Sequence, residues 1–361
     1  MADTALAPLR AEIDKLNLEI LALLSRRAEV AERVRRAKSA AGAPMFDPLR
    51  EQQMLQSLVE RNQGPFAAQT VAHLFKEIFK ATASLMEHEQ ATSLRVLRTA
   101  GRPDARVRVG KVEFGGPEPV LLAGPCSVES EIQIEDTARF LVGRGVRLLR
   151  GGAFKPRTSP YDFQGLGEEG LRLLSAAATR HGMACVTEVV DTRHVELVSR
   201  FADMLQVGSR NMHNFELLKE VGRTRKPILL KRGLSATIDE LLGAAEYIVS
   251  SGNPDVVLCE RGIRTFEQQT RNTLDISAVA LLRRMTALPV IVDVSHAAGR
   301  KDILAPLARA GIAAGAQGVM IEVHPCPEVA RSDSRQQLDF AEFDRFVNDL
   351  SIASWVNAGA L

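Results

Sequence analysis

Cations recur where short apolar runs give out. The run "RLLRGG" carries Arg150, and the loop after it, "AFKPRTSPYDFQGLG", sets Lys155 and Arg157 around Pro156. Arg210 follows "MLQVGS", Lys231 closes "PILLK", and Arg261 follows "VVLCE". Like charges gathered on one rim repel unless an anion joins them, and guanidinium forks match the oxygens of phosphate and carboxylate. Six such cations predict an anionic substrate with more than one phosphate to hold. A second set, Cys126, His296, Glu322 and Asp333, offers sulfur, nitrogen and oxygen donors. Alone, a cysteine at a strand end is usually a small buried side chain. Together the four could hold a divalent ion with room for a substrate oxygen, and mixed donors do not dictate which metal. Glu188 and Glu260 end two further runs, "ACVTE" and "VVLCE".

These residues need elements that bring them to one place. From Val120, eight apolar runs alternate with helix-compatible stretches: "VLLAGPC", "RLLRGG", "ACVTEVV", "MLQVGSR", "PILLKRG", "VVLCERG", "PVIVDVSH" and "GVMIEVH". Continuous apolar runs of this length suit strands buried on both faces of a parallel sheet. Eight strand–helix repeats predict an α/β fold, a (β/α)8 barrel, whose chemistry sits at the C-terminal ends of the strands. That is where the polar residues fall. A doubly wound open sheet is the alternative.

The first ninety residues read differently. Leu6, Leu9, Ile13, Leu16, Ile20, Leu23, Val30 and Val34 recur at three- and four-residue steps, the seam of a long amphipathic helix. Gly42, Pro44 and Pro48 break it, and further helices fit 49–60 and 67–89. The expected organisation is an all-α three-helix domain over 1–89, a polar linker over 90–106, and the barrel over 107–361, entered through a short hairpin in "VRVGKVEFGG".

Composition narrows the class. The 361 residues carry 46 lysines and arginines against 44 acids, a net charge of +2 that gives no case for nucleic acid or an anionic membrane. Four cysteines in so long a chain do not make a disulfide scaffold, and no segment reads as a signal peptide or a membrane span. A reducing, cytoplasmic setting is expected.

The motifs "AGPCSVES", "LLRGGAFKPRTSPYDFQGLG", "QVGSRNMHNFELL", "CERGIRTFE", "VDVSHAAGR" and "EVHPCPEVARSDSRQQ" closely resemble 3-deoxy-D-arabino-heptulosonate 7-phosphate (DAHP) synthases of the shorter bacterial type, along 120–347. The resemblance implies condensation of phosphoenolpyruvate with erythrose 4-phosphate, the first step of the shikimate pathway. It implies a divalent metal, manganese foremost, on Cys126, His296, Glu322 and Asp333. It implies phosphoenolpyruvate on Arg150, Lys155, Arg210, Lys231 and Arg261, and erythrose 4-phosphate on Arg157, Thr158 and Ser159. Lys155 is expected beside the aldehyde, with Glu188 or Glu260 ordering a water. The alternatives are a related synthase acting on arabinose 5-phosphate, and an allosteric subunit with an inactive barrel.

The helical segment resembles an all-helical chorismate mutase. Arg27 interrupts the apolar seam between Leu23 and Val30, and Lys38 lies about 20° round the helix from it. Arg10 points about 100° away, as for a partner's site across a dimer. The resemblance adds Asp47, Arg50 and Glu51 as contacts to chorismate or prephenate. Where the family offers a glutamine or glutamate to the ether oxygen this chain has Met86, which cannot donate a hydrogen bond. The domain is therefore expected to convert chorismate to prephenate weakly, to sense chorismate or prephenate as a feedback signal, or to do both, in a dimer or tetramer.

Overall fold

The structure, a computed structural model, describes residues 2–41, 47–92, 94–101, 103–157 and 159–350; the side chains of 2–5, 39–40 and 84–92 fall outside the description. The chain divides into two units, Met1–Ser93 and Leu94–Leu361. The first is helical: α1 (Ala2–Ala40), α2 (Pro48–Glu60) and α3 (Ala68–Thr92). Pro48 opens α2, where its missing N–H costs nothing, and Asp47 caps that helix by accepting from the Arg50 backbone N–H at 3.0 Å. In the single chain the apolar seam of α1 stays open: Leu9, Ile13, Leu16, Ile20 and Leu23 are all exposed.

The second unit opens on an antiparallel hairpin, β1 (Val107–Val109) and β2 (Val112–Phe114). Strands and helices then alternate: β3 (Val120–Gly124), α4 (Glu131–Val142), β4 (Leu148–Arg150), α5 (Glu168–Arg180), β5 (Ala184–Val189), α6 (Val195–Phe201), β6 (Met204–Val207), α7 (Phe215–Gly222), β7 (Ile228–Lys231) and α8 (Ile238–Ser250). The series ends with β8 (Val256–Glu260), α9 (Ile276–Met285), β9 (Val290–Asp293), α10 (Val294–Ala298), α11 (Leu304–Ala313), β10 (Gly318–Glu322) and α12 (Phe340–Asp349). β3 to β10 pair in parallel in chain order, and β10 pairs back onto β3, so the sheet closes into the expected barrel and the open-sheet alternative falls. Among the described residues no helix is long and apolar enough to cross a membrane.

Strand side chains alternate between the barrel interior and the helix layer. The interior cluster takes Leu122, Leu148, Val186, Met204, Leu229, Val257, Cys259, Ile291 and Met320, with Val107, Val109 and Phe114 of the hairpin. Their neighbours Ala123, Leu149, Cys185, Leu205, Leu230, Leu258, Val292 and Ile321 join the core between sheet and helices. Counting on by two from the interior residues brings Arg150, Glu188, Gln206, Lys231, Asp293 and Glu322 inward at the C-terminal ends. Glu260 follows the interior residue Cys259 and so faces the other way.

The stretch expected as a linker is docked for most of its length. From Leu94 it belongs with the barrel unit: Val96 is buried, Arg98 N donates to Met285 O at 2.8 Å, and Ala105 N donates to Ala287 O at 2.8 Å. Its polar composition hid these bonds because they are made by backbone.

Candidate active site

The glycines after β4 let two strand ends close on each other. Gly152 N donates to Cys126 O at 3.2 Å, and a side-chain carbon on Gly152 would lie 2.8 Å from both that oxygen and Lys155 Cδ. Without one, Lys155 Nζ reaches Cys126 O at 2.9 Å and Cys126 Sγ at 3.1 Å. The loop's first cation is thus brought to the donor set. Its second, Arg157, donates to Phe163 O at 3.1 Å and to Ser332 Oγ.

Cys126, His296, Glu322 and Asp333 come together, with one ligand atom from each lying within 4.8 Å of every other. His296 Nε2 is 3.3 Å from Glu322 Oε1 and 3.7 Å from Asp333 Oδ2, and Cys126 Sγ is 3.4 Å from the same Asp333 oxygen. Asp333 has φ of 48°, the one non-glycine at positive φ among the described residues. A left-handed aspartate is strained by about 1–3 kcal/mol and persists where its surroundings hold it. Here Arg271 lies 3.2 Å from its carboxylate. Arg150 donates to Glu322 Oε1 at 2.8 Å, Gln336 to Glu322 Oε2 at 2.6 Å, and Gln337 Oε1 accepts from Cys126 N at 2.8 Å.

Burial pushes the Cys126 thiol up to about 11, and Glu322 adds to that shift. Burial also disfavours the His296 imidazolium, against the pull of Asp293 and Glu322. For Glu322 and Asp333 burial acts upward, but His296 first, with Arg150 and Arg271 respectively, holds both carboxyls below their ordinary range. A buried and a half-buried carboxylate, an imidazole whose charged form burial disfavours, and a thiol are a donor set that fits a divalent cation of borderline softness. A thiol ligand must lose its proton to bind. Because the thiol titrates near 11, affinity for a divalent ion should rise about tenfold per pH unit from about pH 6 to 9, one proton being released throughout. Chelator-competition titrations across that range would show the slope, and an affinity independent of pH would remove Cys126 from the set.

Beside the donors lies a cavity of ≈ 260 Å³. Arg150, Lys155, Arg157, Arg210, Lys231, Arg261, Arg264 and Arg271 line it, against the carboxylates of Glu188 and Asp333. Arg261 is buried and, among the described residues, bonds only to the Gly262 and His296 carbonyls and leaves Nε without a partner. A buried guanidinium with an orphaned N–H facing other cations suits an incoming anion. Arg210 is exposed and donates to Pro156 O at 3.3 Å. Of the two carboxylates expected to order a water, Glu188 lines the cavity. It fits because a side chain on Gly208 would stand 1.9 Å from its Oε1. Glu260 does not line it: its parity turns it to Arg232 at 2.9 Å and to the Gly262 N–H at 2.7 Å. Thr158 lies outside the described residues, and Ser159 Oγ accepts from the Tyr161 N–H in the exposed part of the loop.

Arg264, Arg271, Gln336 and Gln337 were missed in the sequence. They stand in quoted motifs or close after them, but on loops, where strand parity gives no orientation.

In the helical unit, Arg27 donates to Thr82 Oγ1 at 2.6 Å and stands 4.8 Å from the centre of the Phe79 ring. Arg10, Asp47 and Arg50 are exposed in the single chain, and Lys38 and Glu51 are partly buried. Met86 lies in α3, and its side chain is outside the described residues.

Residues 90–354 match the DAHP synthetase I family and residues 9–87 match chorismate mutase type II. A phospho-2-dehydro-3-deoxyheptonate aldolase of Thermotoga maritima is 52% identical over 247 residues, 68% of this chain and 73% of that protein. A 2-dehydro-3-deoxyphosphooctonate aldolase of Syntrophotalea carbinolica is 30% identical over 267 residues, 69% of this chain and 95% of that one. The crystal structure of the Thermotoga maritima DAHP synthase superposes with a TM-score of 0.70 at 50% identity, covering 72% of this chain and 76% of that chain.

Proposed function

Because the chain belongs to the DAHP synthetase I family, we propose that its barrel condenses phosphoenolpyruvate with erythrose 4-phosphate and water, giving DAHP and phosphate. The observation that carries this reading is the junction of one four-donor cluster with one cation-lined cavity. Arg150, Lys231 and Arg261, with Arg210 at the rim, hold the phosphate and carboxylate of phosphoenolpyruvate. Arg157 takes the phosphate of the aldose, with Thr158 and Ser159 proposed beside it.

A divalent ion on Cys126, His296, Glu322 and Asp333, manganese foremost, would supply Lewis-acid polarisation of the aldehyde. Lys155 neutralises or protonates the aldehyde oxygen as C3 of the enol phosphate bonds to the aldehyde carbon. Water then adds at C2, where positive charge develops, and phosphate departs. Glu188, which lines the cavity, orders that water. The flanking prolines, Pro156 and Pro160, stiffen the aldose loop and lower its ordering cost on binding.

The five-carbon aldose remains the rival substrate, since relatives of both types match. The higher identity to the heptonate enzyme, 52% against 30%, favours the four-carbon aldose. For the helical unit the same reading proposes a chorismate or prephenate site built on Arg27, with Lys38, Asp47, Arg50, Glu51 and Met86, and Arg10 serving a second copy. The open apolar seam of α1 supports that pairing. A ligand there would inhibit the barrel. Phosphate release from phosphoenolpyruvate should be fast with erythrose 4-phosphate, slow with arabinose 5-phosphate, and suppressed by prephenate or chorismate. Preference for the five-carbon aldose would overturn the first assignment, and unchanged turnover with either effector would overturn the regulatory one.

A further inference from the structure

Asp293 ends β9 with no exposed surface, and three groups converge on its carboxylate. Oδ1 accepts from the His296 backbone N–H at 3.0 Å, capping the short helix that carries His296. Oδ2 lies 2.8 Å from His296 Nδ1 and also accepts from Lys231 Nζ. An imidazole that gives its Nδ1 proton to a carboxylate keeps its lone pair on Nε2. Nε2 is the nitrogen that faces Glu322 and Asp333.

We propose that Asp293 is a positioning residue for His296 in the donor set. It fixes His296 as the Nδ1–H tautomer with Nε2 aimed into the donor set, while the same oxygen offsets the charge of Lys231. The proposal rests on reading Cys126, His296, Glu322 and Asp333 as a metal site. Nothing else within hydrogen-bond range of His296 Nδ1 among the described residues offers it an acceptor. Partners of this kind typically contribute 10–100-fold to metal affinity, so about that much rests on Asp293.

The test is Asp293→Asn, compared with the wild type by chelator-competition titration of manganese, by the absorption spectrum of bound cobalt(II), and by calorimetry of phosphoenolpyruvate binding to the metal-free protein. The variant should bind manganese about 10–100-fold more weakly and shift the cobalt spectrum. It should bind phosphoenolpyruvate no more weakly than wild type, because the charge that neutralises Lys231 is gone. Manganese affinity within about twofold of wild type would overturn the proposal. So would parallel weakening of both ligands, the mark of general damage to the barrel mouth. A wild type that takes up no divalent ion would instead overturn the metal-site reading itself. Should the variant fail to fold, nitrogen NMR of the metal-free wild type decides, with His296 assigned by its loss in His296→Gln. A proton on Nδ1 supports the proposal, and a ring protonated on Nε2 alone overturns it.

Discussion

Replacing Cys126 with serine is expected to cut metal-dependent turnover by about a thousandfold or more while leaving the barrel folded. The sulfur is fully buried, 3.1 Å from Lys155 Nζ and 3.4 Å from an Asp333 oxygen, so it is central to the donor set rather than at its edge. Serine fills nearly the same space but does not ionise near neutral pH, so the set loses its one soft anionic donor. A thousandfold corresponds to about 4 kcal/mol of transition-state stabilisation, within the several kcal/mol that Lewis-acid polarisation supplies. Steady-state phosphate release with saturating manganese measures the loss, and circular dichroism checks the fold. A serine variant within tenfold of wild type would take the sulfur out of the chemistry.

The second large effect falls on Arg150, which serves two partners at once. It is buried, donates to Glu322 Oε1 and Pro125 O, each at 2.8 Å, and lines the cavity. Arg150→Ala should lower kcat/KM for phosphoenolpyruvate by about 10²–10³-fold, the usual loss on removing one preorganised donor. It should also destabilise the metal-free protein by about 3–5 kcal/mol, because Glu322, with no exposed surface, keeps a charge without its guanidinium. Denaturant unfolding without metal reads the second loss. Arg150→Lys retains the charge but not the planar fork, and should recover more of the stability than of the turnover. An alanine variant as stable as wild type would mean that Glu322 is neutral in the free protein.

How far the sequence carried depended on whether a residue sat on a strand. Buried parallel strands write themselves as unbroken apolar runs, and all eight appear where those runs fall. The inward placement of Arg150, Lys231 and Glu322 needed only the two-residue period. The same period, applied to Glu260, would have turned it away from the cavity. It sits one residue past the interior Cys259 and spends its carboxylate on Arg232.

Loops carry no such period. Arg271 reaches Asp333 across 62 residues of chain, a pairing set by tertiary geometry alone. Gln336 and Gln337, in the same motif as Asp333, are seen to brace the donors only once β3 and β10 are side by side. The helical unit was legible as three helices from its spacing. The apolar seam of α1 was legible too, and a single chain leaves it uncovered.

The four donors and the cation-lined cavity are expected to work as one metal-dependent synthase site. The most direct measurement is phosphate release from phosphoenolpyruvate and erythrose 4-phosphate by protein stripped with a chelator, before and after manganese is restored. The stripped wild type should show no turnover and should recover on adding manganese, and the Cys126→Ser variant should not recover. Full turnover by the stripped protein would contradict a metal-dependent site.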